Sequence, residues 1–68
     1  MPSQVIRSFS YDRDLEALTV TFVSGRRYRY EGVPAELADE MRGAFAKGVF
    51  FNRRIRGHYP ATAVPAAD

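Results

Sequence analysis

The sequence predicts an α+β fold: a three-stranded antiparallel β-meander with two short helices packed on one face, and a disordered C-terminal tail. Three observations carry this expectation. Runs of β-branched and aromatic residues alternate with a period of two as far as Glu31, the triplet Gly32-Val33-Pro34 interrupts them, and apolar residues beyond it recur at helical spacing. Helices collected on one face of an antiparallel sheet are a standard way to bury both apolar surfaces.

After a polar lead-in over residues 1–4, Val5, Arg7, Phe9 and Tyr11 alternate with Ile6, Ser8 and Ser10, which reads as an edge strand. Asp12-Arg13-Asp14 can hydrogen-bond its own backbone and, with Leu15 and Glu16, makes a turn. A second strand over residues 17–23 points Leu18, Val20 and Phe22 inward and Thr19, Thr21 and Val23 outward. Register then settles the next turn, because facing residues of an antiparallel pair project to the same side. A two-residue Ser24-Gly25 loop would set Arg27 beside Phe22. A three-residue Val23-Ser24-Gly25 loop pairs Val20 with Tyr28 and Leu18 with Tyr30, so a type I turn with a left-handed Gly25 in a bulge is expected.

Pro34 suits the first residue of a helix, with Glu36, Asp39 and Glu40 early and Arg42 and Lys47 late, as the helix dipole favours. Leu37, Met41, Ala44 and Phe45 form its apolar stripe, and Gly48 is the expected stop. A second helix over residues 49–56 is closed by Gly57, with Phe51, Ile55 and Tyr59 four apart as the inward stripe. This places one domain in residues 1–59 and a disordered Ala/Pro-rich tail in residues 60–68.

Sixty-eight residues support only a modest core. With no Cys there is neither a disulfide framework nor a thiolate zinc site, and the lone His58 makes a metal centre a poor expectation. No apolar run approaches membrane-spanning length, so a cytoplasmic protein without membrane attachment is expected. Net charge is +2, yet nine of the ten basic residues are Arg, whose planar fork matches phosphate and carboxylate. No glycine-rich phosphate loop, nucleophile elbow or His-based triad is present, and neither an enzyme nor a cofactor is expected.

The order of these features over residues 5–59 resembles the KTSC domain family. The carriers are Tyr11-Asp12, Leu18-Thr19-Val20-Thr21-Phe22 with Gly25, Tyr28-Arg29-Tyr30, Gly32-Val33-Pro34, and Gly48-Val49-Phe50-Phe51-Asn52 followed by Ile55-Arg56 and Tyr59. Ala46-Lys47-Gly48 departs from the family pattern, in which a serine usually precedes this glycine. The family is named for the carboxyl end of some lysyl-tRNA synthetases and occurs also as free-standing bacterial proteins, of which this chain looks like one. The resemblance implies a domain of unknown function for which RNA binding has been suggested.

From the residues themselves, Tyr28 and Tyr30 belong to the core, because the helical stripe needs an apolar partner and theirs is the only apolar sheet face. Their strand's other face, with Arg27, Arg29, Ser8, Ser10, Thr19 and Thr21, offers a polar, basic platform. Arg53, Arg54 and Arg56 lie in a stretch without an acidic residue from Lys47 to His58, and should attract polyanions. Asn52, Phe50 and Lys47 are candidate contacts beside them. The expected function is a small non-enzymatic nucleic-acid-binding module, RNA preferred, gripping phosphate through Arg53, Arg54 and Arg56 with help from Arg27 and Arg29. The alternative is a protein-interaction or self-association module, in the simplest case a homodimer, using a sheet edge or an exposed Phe50.

Overall fold

The computed structural model describes residues 6–65. Four strands, β1 (Ile6–Asp12), β2 (Ala17–Phe22), β3 (Arg27–Glu31) and β4 (Ala61–Val64), form one antiparallel sheet in the order β1-β2-β3-β4. Two helices, α1 (Ala35–Gly43) and α2 (Lys47–Arg54), lie between β3 and β4 in the chain.

The β2–β3 hairpin has the expected register, with Leu18 opposite Tyr30 and Val20 opposite Tyr28. The Gly25 N–H donates to the Phe22 carbonyl at 2.8 Å and the Phe22 N–H to the Arg26 carbonyl at 2.9 Å, closing a three-residue loop. Gly25 has φ +96°, a left-handed conformation that a side chain would strain. Leu18, Val20 and Tyr30 are thereby buried with Val33, Leu37, Met41, Phe51 and Ile55 in one apolar cluster, which Phe9, Tyr11 and Tyr28 flank.

The turn after β1 also forms as expected: Asp12 Oδ1 accepts from the backbone N–H of Asp14 at 3.0 Å and of Leu15 at 3.2 Å. The elbow from β3 into α1 is tied on both sides, since the Val33 N–H donates to the Glu16 carbonyl at 3.0 Å and the Tyr11 hydroxyl donates to the Val33 carbonyl at 2.5 Å. Pro34 proves to be the N-cap, one residue before the helix, with its carbonyl accepting from Leu37 and Ala38.

Three expectations need correction. First, the sheet has four strands: residues 61–64 of the expected disordered tail pair with β3, placing Ala63 opposite Tyr28 and Ala61 opposite Tyr30. Ala61, Thr62 and Ala63 are exposed on this edge strand. Residues 66–68 of that tail, like Val5, lie outside the described residues.

Second, α1 ends at Gly43, Ala44 is extended (φ −71°, ψ 138°), and Gly48 lies inside α2 instead of stopping α1. Glycine weakens the helix where it ends. The break lets α2 turn back so that Phe51 reaches the core, and it leaves Phe45, expected in the apolar stripe, fully exposed. Third, the β1–β2 register jumps from Ile6↔Phe22 to Ser8↔Thr21, a bulge at Arg7. Ile6 therefore packs on the core with Phe9, whereas strict alternation would have put it with the serines.

Three stability outcomes follow. Gly25→Ala should lose roughly 1–2 kcal/mol in urea denaturation, the cost of a left-handed non-glycine residue, because no atom crowds the added Cβ. Gly43→Ala, at ordinary helical φ, should be neutral or gain up to about 1 kcal/mol. A chain ending at Pro60 should melt several degrees below the full chain, at about 4–8 °C per kcal/mol lost in a domain of this size. An unchanged melting temperature would show β4 to be dispensable.

Candidate nucleic-acid interface

The candidate residues fall on two separate layers. Arg27 and Arg29 project from the open sheet face, in register with Thr21 and Val64 and with Thr19 and Thr62, respectively. Arg29 Nε lies 3.6 Å from Glu31 Oε2, and Arg29 shares a shallow concavity with Asp12 and Asp14. The platform expected to be basic is thus mixed in charge at this point. Arg53, Arg54 and Arg56 are exposed on the helical layer, on the far side of the sheet.

These three are not equivalent. Arg54, expected to lack a local counter-charge, is paired: its Nη1 reaches Glu40 Oε1 of α1 at 3.1 Å, and its guanidinium lies 5.3 Å from the Phe50 ring centroid. The acidic partner escaped the local charge reading because it is 14 residues away in sequence. Phe50 is half-buried against the core beneath that guanidinium, so the exposed ring of this region is Phe45. Arg56 Nη1 approaches Asn52 Oδ1 at 3.5 Å, a long contact that loosely orients the guanidinium. Lys47 Nζ donates to the Ala44 carbonyl at 3.0 Å, which ties the helix junction. Arg53 has no carboxylate within ion-pair distance among the described residues.

Sequence reasoning missed a concavity at the hairpin end of the sheet. A groove of about 1070 Å³ opens between the β2–β3 hairpin and the chain leaving α2. Its floor is aromatic: Phe22, Tyr28, Tyr30, Phe51 and Tyr59. Phe22 meets Tyr28 edge-on at 6.2 Å between centroids and Phe51 at 5.6 Å, and Tyr30 meets Phe51 at 5.1 Å. Ser24 and Arg26 line it from the hairpin and Arg56 and Gly57 from the turn after α2, and among the described residues no carboxylate lines it. The signals were present in Arg26, next to the bulge glycine, and in Tyr59, assigned to a helical stripe although α2 ends at Arg54. Gly57, at φ +82°, turns the chain so that Tyr59 reaches the rim.

Burial pushes the Tyr30 phenol above its ordinary pKa of 10.0, with the Arg56 guanidinium opposing the rise. Tyr11 is raised too, first by desolvation and then by the Glu16 carboxylate.

This small antiparallel α+β domain, carrying arginines on both layers, belongs to a known class. The KTSC domain model matches residues 2–59, and the chain belongs to that family. It is 31% identical to a KTSC domain protein from Yersinia pestis of known crystal structure, with a TM-score of 0.87 over 96% of this chain and 90% of that one. An uncharacterized protein from Stutzerimonas stutzeri is 40% identical over 87% of this chain and 84% of its own length. A lysine–tRNA ligase from Nostoc punctiforme is 38% identical over 81% of this chain, but the match spans only 10% of the ligase. Among the described residues no helix is long and apolar enough to cross a membrane.

Both shifted tyrosines hold their protons more tightly folded than unfolded, since their folded values lie above 10.0. Their contribution to stability is complete below pH 10 and is lost as pH rises through the folded values. Melting temperature should therefore fall as pH is raised past about 10, and the Tyr11→Phe variant should fall less steeply. Parallel curves for variant and wild type would remove Tyr11 from the account.

Proposed function

We propose that this chain is a non-catalytic nucleic-acid-binding module of the cytoplasm, RNA preferred, that grips phosphate through the arginines of α2 and the turn after it. The observation that carries the reading is the positive stretch over residues 47–58, which holds Lys47, Arg53, Arg54 and Arg56 with no acidic residue. Arg53 and Arg56 are exposed and engage no carboxylate among the described residues, and Arg54 keeps donors free beside its Glu40 contact. A cluster in which two of three guanidiniums engage no carboxylate raises the local potential for polyanions. The similarity to a segment of an enzyme named for joining lysine to tRNA supports RNA as the polymer. Arg27 and Arg29 lie on the other layer, and Arg29 sits beside acidic groups, so the pair takes a secondary part at most.

A second reading, self-association, is favoured by one observation. Strand β4 is a sheet edge, its residues Ala61, Thr62 and Ala63 are exposed, and it carries no charge to discourage pairing with another copy. Light scattering that gives a dimer mass, lost on Thr62→Lys, would favour it.

The leading reading is tested by fluorescence anisotropy with labelled single-stranded RNA, tRNA and duplex DNA at two salt concentrations. Wild type should bind the RNAs with affinity that falls as salt rises. The Arg53→Ala, Arg54→Ala, Arg56→Ala triple variant should bind at least about tenfold more weakly and with a shallower salt slope, by about 0.7 per phosphate contact removed on a single strand. Equal binding by wild type and triple variant would overturn the reading.

A further inference from the structure

The helical arginines account for attraction to a phosphate backbone but leave the aromatic groove without a role. Its walls and floor differ from the rest of the surface in two respects. Arg26 of the hairpin and Arg56 of the turn after α2 both line it, and among the described residues no carboxylate does. Below them lie Phe22, Tyr28 and Tyr59, half-buried rings whose remaining surface is open to the groove.

A ligand for such a site needs a flat, apolar, aromatic body and an attached anion. An anion alone would leave the rings unused, and an apolar group alone would leave two guanidiniums partly desolvated without a counter-charge. A nucleotide carries both parts on one unit, and stacking on aromatic rings needs no particular base. Its base must be unpaired, because base pairing within a duplex keeps the flat faces stacked on one another. The volume of about 1070 Å³ is ample for one such unit, since sites for small molecules run from roughly 300 to 1000 Å³.

The surroundings permit a strand to continue outward. Arg56 belongs both to the groove and to the positive stretch of α2, so the phosphates flanking a seated nucleotide can pass over the helix toward Arg53. The other side is open too, because Gly57 presents no side chain at the rim and a Cβ added there would meet nothing within 4 Å.

We infer that the groove between the β2–β3 hairpin and the turn after α2 seats one unpaired nucleotide of a single-stranded RNA. Its base lies on Tyr28, Phe22 and Tyr59, and its phosphate lies between Arg26 and Arg56. The inference rests on the nucleic-acid reading above and adds a place and a recognition mode to it. Affinity then has two separable components, an electrostatic one that any polyanion shares and a stacking one that requires a base.

The experiment measures binding of fluorescein-labelled decauridine, an unstructured RNA, and competition by inorganic polyphosphate, which has charge but no base. Tyr59→Leu keeps an apolar side chain at the rim and removes the ring. It should bind decauridine roughly tenfold more weakly, the scale of one lost stacking contact, while its affinity for polyphosphate stays at the wild-type value. Arg26→Ala should weaken both ligands. A second measurement needs no variant: titrating isotopically labelled wild type with decauridine should shift the amide resonances of Arg26, Tyr28, Gly57 and Tyr59.

Decauridine binding that Tyr59→Leu leaves unchanged, or shifts confined to the outer side of α2, would overturn the inference and leave the electrostatic reading standing. Absence of binding by wild type would overturn both. Shifts at the groove amides with an acidic peptide and none with decauridine would overturn the inference in favour of a protein ligand.

Discussion

Gly25 closes the β2–β3 hairpin with three residues, and the register that follows decides what every other element meets. Because Leu18 faces Tyr30 and Val20 faces Tyr28, the sheet presents one apolar, ring-bearing surface to the helices. A slip of one residue would turn Arg27 and Arg29 into that interior and expose the rings, since side chains alternate along a strand. The same register directs β4, whose small residues Ala61 and Ala63 lie opposite Tyr30 and Tyr28. It also sets the groove, because Phe22 and Arg26 stand at the end of the ladder where the rings outrun the helical cover.

The helical layer completes the core by an interruption. A helix continued past Gly43 would have carried the Phe51 segment away from the sheet. The extended Ala44 returns the chain, and Phe51 then packs against both Phe22 and Tyr30. The turn after α2 makes a second reversal at Gly57, bringing Tyr59 to the groove rim and β4 to the open side of β3. The groove thus arises where the hairpin tip and the turn after α2 meet, the first bringing Arg26 to its lining and the second Arg56, Gly57 and Tyr59.

What was legible in the sequence was local. Two-residue alternation gave β2 and β3, and excluding arginines from the interior gave their register. What was not legible depended on distant partners. Ala61-Thr62-Ala63-Val64 has no strand signal strong enough to outweigh its Ala and Pro surroundings, and it becomes a strand because β3 offers a free edge. The bulge at Arg7 is invisible to a rule of strict alternation. Glu40 could not be assigned to Arg54 until the two helices were docked, and Arg26 and Tyr59 could not be seen as neighbours across a groove until both chain reversals were in place. The resemblance to the KTSC domain family, by contrast, was carried by short motifs and needed no tertiary information.

The proposed function meets the fold at the aromatic groove, and photocrosslinking tests that proposal most directly. A single-stranded RNA carrying 4-thiouridine, irradiated with the wild-type protein and digested for mass spectrometry, should attach to peptides containing Tyr28 or Tyr59. Crosslinks restricted to the open sheet face, around Ser8, Ser10, Thr19 and Thr21, would contradict the account and move the interface to the other layer.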